Sequence, residues 1–281
     1  MAVKPATPFD GVAWVTGAST GIGAALAIKL AKRGWRVAVT ARNEEKLQEL
    51  KASLGEAYGE IIVKPGDVTD PLQMAKIIEA LATDEGGIGL AVLNAGIYEP
   101  INGNELDIAT FEKTISVNLN GTVNCLVPLS SHMWENGRGQ IVITSSVAGY
   151  GGLPTSAAYG MTKAGLINLA ESLKFDFDKM GILIQVVNPG FVDTPATASN
   201  PFEMPFLMEV EEAAEKMLKG LEGGKFEITF PKQFTHFLKF TNAFPYFAYF
   251  PLVNWFTKWK QRPLEGADDL AKTRKHPPKH W

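Results

Sequence analysis

Seven short apolar runs, rich in β-branched residues, recur along the chain between stretches of helical pattern. They are Val12–Thr16, Arg36–Thr40, Ile61–Val63, Leu90–Leu93, Gln140–Thr144, Ile182–Val187 and Phe226–Phe230. The first six are apolar almost throughout instead of alternating, which is how strands read when crossover helices bury both their faces. The pattern predicts an α/β fold: a doubly wound, seven-stranded, mainly parallel sheet with helices on both faces. With 281 residues and 46% hydrophobic content, one core of this kind can be filled, so residues 1–281 are read as a single domain.

Sheets of this class bind ligands beyond the carboxyl ends of their strands, so the residues after each run carry the functional information. After the first run comes Thr16-Gly17-Ala18-Ser19-Thr20-Gly21-Ile22-Gly23, leading into the helix former Ala24–Lys32. Glycines let backbone approach a pyrophosphate, and the free N–H groups of a new helix face its charge. The spacing is G-x-x-x-G-x-G. After the second run the chain reads Thr40-Ala41-Arg42-Asn43, with no carboxylate before Glu44. An acid there would bond an adenosine ribose, whereas an arginine accepts a 2′-phosphate. The expectation is NADP(H) favoured over NAD(H), with Arg42 on the phosphate and Ser19 assisting; the alternative leaves Arg42 as a solvated surface residue. Asp67 and Val68 after the third run, and Asn94-Ala95-Gly96 after the fourth, complete the expected cofactor wall.

The fifth run ends Thr144-Ser145-Ser146, and Tyr159-Gly-Met-Thr-Lys163 follows. Tyr159 and Lys163, spaced i,i+4 within a helical stretch, share a face, while Leu166, Leu169 and Leu173 form a buried stripe. An unperturbed phenol has a pKa near ~10, and a neighbouring ammonium lowers it by favouring phenolate. The alternative is a tyrosine packed in the core and a lysine reaching to solvent.

Together these segments resemble the short-chain dehydrogenase/reductase family over residues 10 to about 195. The resemblance is carried by Thr16–Gly23, Asn94–Gly96, Asn118, Ser146, Tyr159–Lys163 and Pro189-Gly190-Phe-Val192-Asp-Thr194. It implies a Rossmann-type fold and an enzyme that moves a hydride between nicotinamide and a carbonyl or alcohol. It further implies roles: Tyr159 transfers the substrate proton, Lys163 holds the nicotinamide ribose and lowers the phenol pKa, and Ser146 bonds the carbonyl oxygen. Asn118 completes the tetrad by anchoring a proton-relaying water, or else bonds neighbouring backbone, and Asn120 is a decoy of the same type. Pro189, Gly190, Val192 and Thr194 border the nicotinamide. Homodimers or homotetramers through the helices carrying Asn118 and Tyr159 are also implied. Two rival classes remain: a catalytically silent nucleotide-sensing or scaffolding relative, and an epimerase or dehydratase on the same fold.

On the substrate side, residues 195–225 are read as a lid and helix region. Phe202 and Phe206, with Tyr98, Tyr150 and Leu153 from neighbouring loops, are the expected pocket for an apolar small molecule such as an acyl, sterol-like or sphingoid ketone. Residues 231–281 form an aromatic, basic extension with nine Lys/Arg against three Asp/Glu. Its uncharged stretch Phe240–Thr257 contains Pro245 and Pro251, which argues against a spanning helix. Two readings stay open: residues 234–262 contact a membrane peripherally, or they pack on the enzyme's own body or a second subunit. The net charge of -3 gives no reason to expect nucleic acid. Cys125 is the sole cysteine, and His132, His236, His276 and His280 lack metal-ligand spacing, so no metal is expected. Without a signal-like start, the expected location is cytoplasmic, with the inner face of a membrane as a peripheral site.

Overall fold

Alternate residues of a strand point to opposite faces, and both faces of this sheet are covered. On β1 (Val12–Thr16), Ala13 and Val15 enter one core while Val12 and Trp14 enter the other. In this computed structural model, which describes residues 3–197 and 204–262, the strands are ordered β3-β2-β1-β4-β5-β6-β7. The remaining strands are β2 (Arg36–Thr40), β3 (Glu60–Val63), β4 (Ile88–Leu93), β5 (Gly139–Thr144), β6 (Ile182–Pro189) and β7 (Glu227–Phe230). Every pairing is parallel. All seven expected strands fall within two residues of their ends, and the mainly parallel sheet is parallel throughout.

One core holds Leu26 and Leu30 of α1 (Gly21–Lys32), Leu47 of α2 (Glu44–Ala52), and Met217 and Leu221 of α7 (Val210–Gly223). The opposite core holds Met74 of α3 (Pro71–Asp84), Leu129 of α5 (Gly121–Glu135) and Leu166 of α6 (Ala157–Phe177). The short α4 (Ile108–Ile115) runs into α5 through a π-helical turn, Ser116–Asn120. Strand order reverses at β1, which lies between β2 and β4, and the main cleft opens beyond the carboxyl ends of these strands, at the switch point where such sheets bind ligands.

Within the 195–225 region the helix is α7, which is amphipathic and buries Ala213, Ala214, Met217, Leu218 and Leu221 in the core. Only residues before it border the cleft. Beyond β7 the chain forms two further helices, α8 (Lys232–Asn242) and α9 (Tyr246–Thr257). Phe234, Leu238, Tyr249 and Val253 are buried, so one side of the extension packs on the protein's own body. The other side is exposed. Cys125 is buried in α5, and burial raises its thiol pKa to about 12, consistent with packing rather than chemistry. Among the described residues no helix is long and apolar enough to cross a membrane, and no His, Cys, Asp or Glu cluster suits a metal ion.

Candidate active site

The turn after β1 is held open for a ligand. Gly17 and Gly21 have φ of 66° and 59°, a region that L side chains rarely adopt. A Cβ on Gly17 would lie 2.7 Å from the Ala95 Cα. Gly23 works differently: it does not line the cleft, and its Cβ would strike the Gly17 carbonyl oxygen at 2.6 Å, so its smallness packs α1 against the turn. Asn94 braces the same turn, its Nδ2 donating to the carbonyls of Thr16 (3.2 Å) and Gly17 (3.4 Å). Ser19, Thr20, Gly21 and Ile22 face a cleft of about 1330 Å³. Such a volume exceeds an ordinary single-ligand pocket and accommodates a dinucleotide with a second molecule.

Arg42 lines this cleft, is exposed, and is joined there by Lys46, which the sequence reading missed. Asn43 accepts a bond from the Lys46 backbone N–H at 2.9 Å, capping α2 so that Arg42 lies just before the helix and Lys46 in its first turn. The available signal was the i,i+4 spacing. Asp67 accepts from the Thr69 N–H and hydroxyl, both at 2.9 Å, and with Val68, Ala95 and Gly96 it borders the cleft.

At the catalytic end, Ser146, Tyr159 and Lys163 converge on the same cleft. Ser146 hydrogen-bonds the Tyr159 hydroxyl. The Lys163 Nζ lies 5.5 Å from the Tyr159 ring centre and donates to the Thr144 carbonyl at 2.8 Å. Asn118 is fully buried behind them. It accepts from the Ile97 N–H at 2.8 Å, donates to the Ile97 carbonyl at 3.1 Å, and donates to the Thr162 hydroxyl at 3.1 Å. Its side chain therefore bonds neighbouring backbone, whereas Asn120 is exposed. Gly96 stands between: a Cβ there would lie 3.3 Å from the Asn118 Oδ1 and 3.4 Å from the Lys163 Nζ. Ser145 is bonded away, donating to the Lys163 carbonyl at 2.7 Å.

Burial pushes the Tyr159 phenol up to about 12; the Ser146 bond opposes this and Tyr98 adds to it. Burial likewise pulls the Lys163 ammonium down to about 8. The expected lowering of the phenol by Lys163 is not seen: desolvation disfavours phenolate, only Ser146 acts the other way, and the ammonium's hydrogen bond goes to Thr144. A phenol kept protonated is suited to giving a proton to a carbonyl oxygen.

Of the expected substrate residues, Tyr98 and Leu153 line the cleft, and the Tyr98 ring meets Tyr159 edge-on at 4.9 Å. Phe202 lies outside the described residues. Phe206, at φ 58°, turns outward, 53% exposed, and stacks behind Phe234 at 5.8 Å. Tyr150 also points away, donating to the Glu227 Oε1 at 2.7 Å. Asn188, just before Pro189-Gly190, donates to that oxygen at 2.8 Å, and Lys239 of α8 bonds the other carboxylate oxygen. Burial raises the Glu227 pKa, but bonds from Lys239, Tyr150 and Asn188 outweigh it and hold the carboxyl below its ordinary value. Glu227 thereby ties the extension to the loop after Ser146 and to the end of β6. The far wall of the cleft comes from the extension itself: Phe234, Phe256, Thr257, Lys258, Trp259 and Arg262, none of which the sequence reading assigned to the pocket. Pro189, Gly190, Val192 and Thr194 line the cleft between the two ends.

A sequence model of short chain dehydrogenases matches residues 11–204, more than half of the chain. The chain belongs to the short-chain dehydrogenase family. This short-chain dehydrogenase is 40% identical over 223 residues to an uncharacterized oxidoreductase of Myxococcus xanthus, covering 79% of the chain and 87% of that protein. It is 34% identical over 209 residues to a cis-4-hydroxycyclohexanecarboxylate dehydrogenase of Sinomonas cyclohexanicum, covering 74% and 84%. Its fold matches a Sphingobium yanoikuyae short-chain dehydrogenase in complex with NADPH, with TM-score 0.72, 26% identity and coverage of 80% and 91%. A levodione reductase matches with TM-score 0.71, 26% identity and coverage of 78% and 94%. The short-chain dehydrogenase described here is therefore an oxidoreductase acting on CH–OH or C=O groups with a nicotinamide cofactor, and the open glycine turn and its cleft fit that cofactor.

Proposed function

We propose that the enzyme is NADP(H)-dependent and interconverts a carbonyl and an alcohol on a lipophilic substrate, with Tyr159 as acid and base. The observation that carries the reading is one continuous cleft with Arg42 at one end, Tyr159 in the middle and an aromatic wall at the other. What supports NADP(H) is the pair Arg42 and Lys46, which suits a 2′-phosphate, together with the absence of an acid after β2. The likeness to a structure holding NADPH points the same way. When bound, the nicotinamide supplies or accepts the hydride.

The chain's own residues do the rest. Gly17–Ile22 would present backbone to the pyrophosphate, and Thr194, packed against Gly21, would hold the carboxamide. Lys163, fixed on the Thr144 carbonyl, holds the ribose hydroxyls and stands beside the phenol as a cation. Ser146 bonds the substrate oxygen as negative charge grows on it, and the Tyr159 hydroxyl delivers the proton to that oxygen. Asn118 positions Lys163 from behind through its hold on Ile97 and Thr162. Phe234, Phe256, Trp259, Met204 and Pro205 exclude water from the reacting end and favour an acyl, sterol-like or sphingoid ketone. The reading includes a homodimer or homotetramer on the cytoplasmic side, at the inner face of a membrane.

The test is turnover of NADPH and NADH against ketones graded from short and polar to long-chain and cyclic. NADPH is expected to serve better, and kcat/KM to rise with substrate lipophilicity. Equal or better turnover with NADH would remove the cofactor assignment; preference for short polar ketones would remove the substrate class.

A further inference from the structure

A helix whose water-facing side is apolar needs a partner on that side. Helix α9 carries no charged residue, and while Tyr249 and Val253 face the body, Tyr246, Phe247, Phe250 and Trp255 face outward. Phe247 is 84% exposed and Trp255 75%. Helix α8 extends the patch with Phe240, whose ring meets Phe244 edge-on at 5.0 Å. A patch of clustered large aromatics is more than the scattered exposed apolar residues of an ordinary surface.

Charge decides what covers it. Residues 231–262 contain Lys232, Lys239, Lys258, Lys260 and Arg262 and not one Asp or Glu. Lys232 at the start of α8, and Lys258 and Lys260 just past α9, are exposed. A two-fold contact between copies would set this acid-free segment against its own cations, since the same patch meets itself. An anionic lipid surface is complementary instead: Tyr, Trp and Phe suit the headgroup boundary and the lysines suit lipid phosphates. The same segment also walls the cleft, because Phe256, Thr257, Lys258 and Trp259 follow directly from the exposed face.

Resting on the apolar-substrate reading above, we propose that the outer face of α8 and α9 seats on an anionic membrane surface, so that the cleft receives its lipophilic carbonyl from the bilayer and not from bulk water. Docking and delivery are two sides of one helix.

The experiment uses the full chain with phosphatidylcholine vesicles, with and without phosphatidylglycerol. Two variants are compared with wild type: a triple variant, Phe247→Ser, Phe250→Ser and Trp255→Ser, and the single change Lys260→Glu. None of these side chains lines the cleft. Wild type is expected to float with phosphatidylglycerol vesicles. Flotation should fall about tenfold or more in the triple variant, and several-fold in Lys260→Glu or at raised salt. NADPH-dependent reduction of a long-chain ketone carried in those vesicles should fall in parallel, while reduction of a short, water-soluble ketone stays at the wild-type rate, which also shows that the variants fold. Wild type that does not float, or a triple variant that floats equally, overturns the docking. So does a lipid-free, concentration-dependent assembly of wild type that the triple variant abolishes, since a second copy would then cover the patch. Intact docking with vesicle-borne ketone turnover that the variants leave unchanged overturns the delivery. Flotation lost in the variants, alongside no turnover of any ketone by wild type, upholds the docking and instead removes the substrate reading.

Discussion

At its Arg42 end the cleft is walled by the turns that follow β1, β2, β3 and β4, and the groups facing the ligand are largely backbone, glycine and short polar side chains. At its far end the wall is made of bulky side chains, Phe234, Phe256, Trp259 and Arg262, from a segment beyond the residues matched by the family. Backbone and glycine recognise what does not vary, a pyrophosphate and its ribose, and need only a correctly placed turn. Aromatic side chains recognise shape and apolarity and can be exchanged without disturbing a strand. On the proposed function, the contrast separates a cofactor end set by the fold from a substrate end set by the extension, with Tyr159 where the two meet.

The largest effect is expected at that meeting point. With Tyr159 as the proposed proton donor, Tyr159→Phe should lower kcat by about 10²–10⁴ for every substrate. Binding of NADPH, read by fluorescence titration, should survive; substantial residual turnover would break the assignment. The two ends should then part. Arg42→Ala is expected to raise the KM for NADPH by about tenfold to a hundredfold, the ~1.5–3 kcal/mol of a hydrogen bond to a charged group. The KM for NADH and that for the ketone should move little, and an equal change for both cofactors would mean that Arg42 touches no phosphate.

The pH profile sharpens the centre itself. Burial depresses the Lys163 pKa to about 8, so its positive charge is present below that pH and lost above it. Tyr159, pushed up to about 12, stays protonated through the same range. The kcat/KM for reduction should therefore hold through neutral pH and fall about tenfold per unit above ~8. In Lys163→Met this alkaline limb should be absent from whatever activity remains. The smallest effect belongs to the far end: Phe256→Ala should raise the KM for a lipophilic ketone several-fold, within the ~1–3 kcal/mol that a pocket gains from one apolar contact, and leave the KM for NADPH alone. A matching rise for the cofactor would merge the two ends into one.

How far each end was legible in the sequence follows from the same difference. Strands buried on both faces betray themselves by unbroken apolar runs, and the residues after them are placed by the strand, so Gly17, Arg42, Asn94, Ser146 and Tyr159 could be positioned in order before any coordinates. Direction within a loop is another matter. Tyr150 follows a 3₁₀ turn, Val147–Gly149, that swings it towards Glu227, and Phe206 sits at a left-handed φ that turns it outward; neither leaves a periodic trace. Glu227 was invisible because its three partners come from β6, α8 and the loop after β5, which only tertiary structure brings together. In the extension, the aromatic run showed that something must be covered, but not that Phe234 and Tyr249 would turn in while Phe247 and Trp255 turned out.

The Lys163 ammonium rests on the carbonyl of Thr144, and Asn118 holds both the N–H and the carbonyl of Ile97. These anchors are main-chain atoms, which every amino acid supplies alike, save that proline lacks the N–H. Substitution at Thr144 or Ile97 can therefore alter volume or polarity while leaving the acceptor that fixes the lysine in place. The centre presents few positions at which a single codon change disarms it, and the surrounding pocket is correspondingly free to drift. A change of side chain at the aromatic wall therefore need not disturb the main-chain anchors behind Tyr159.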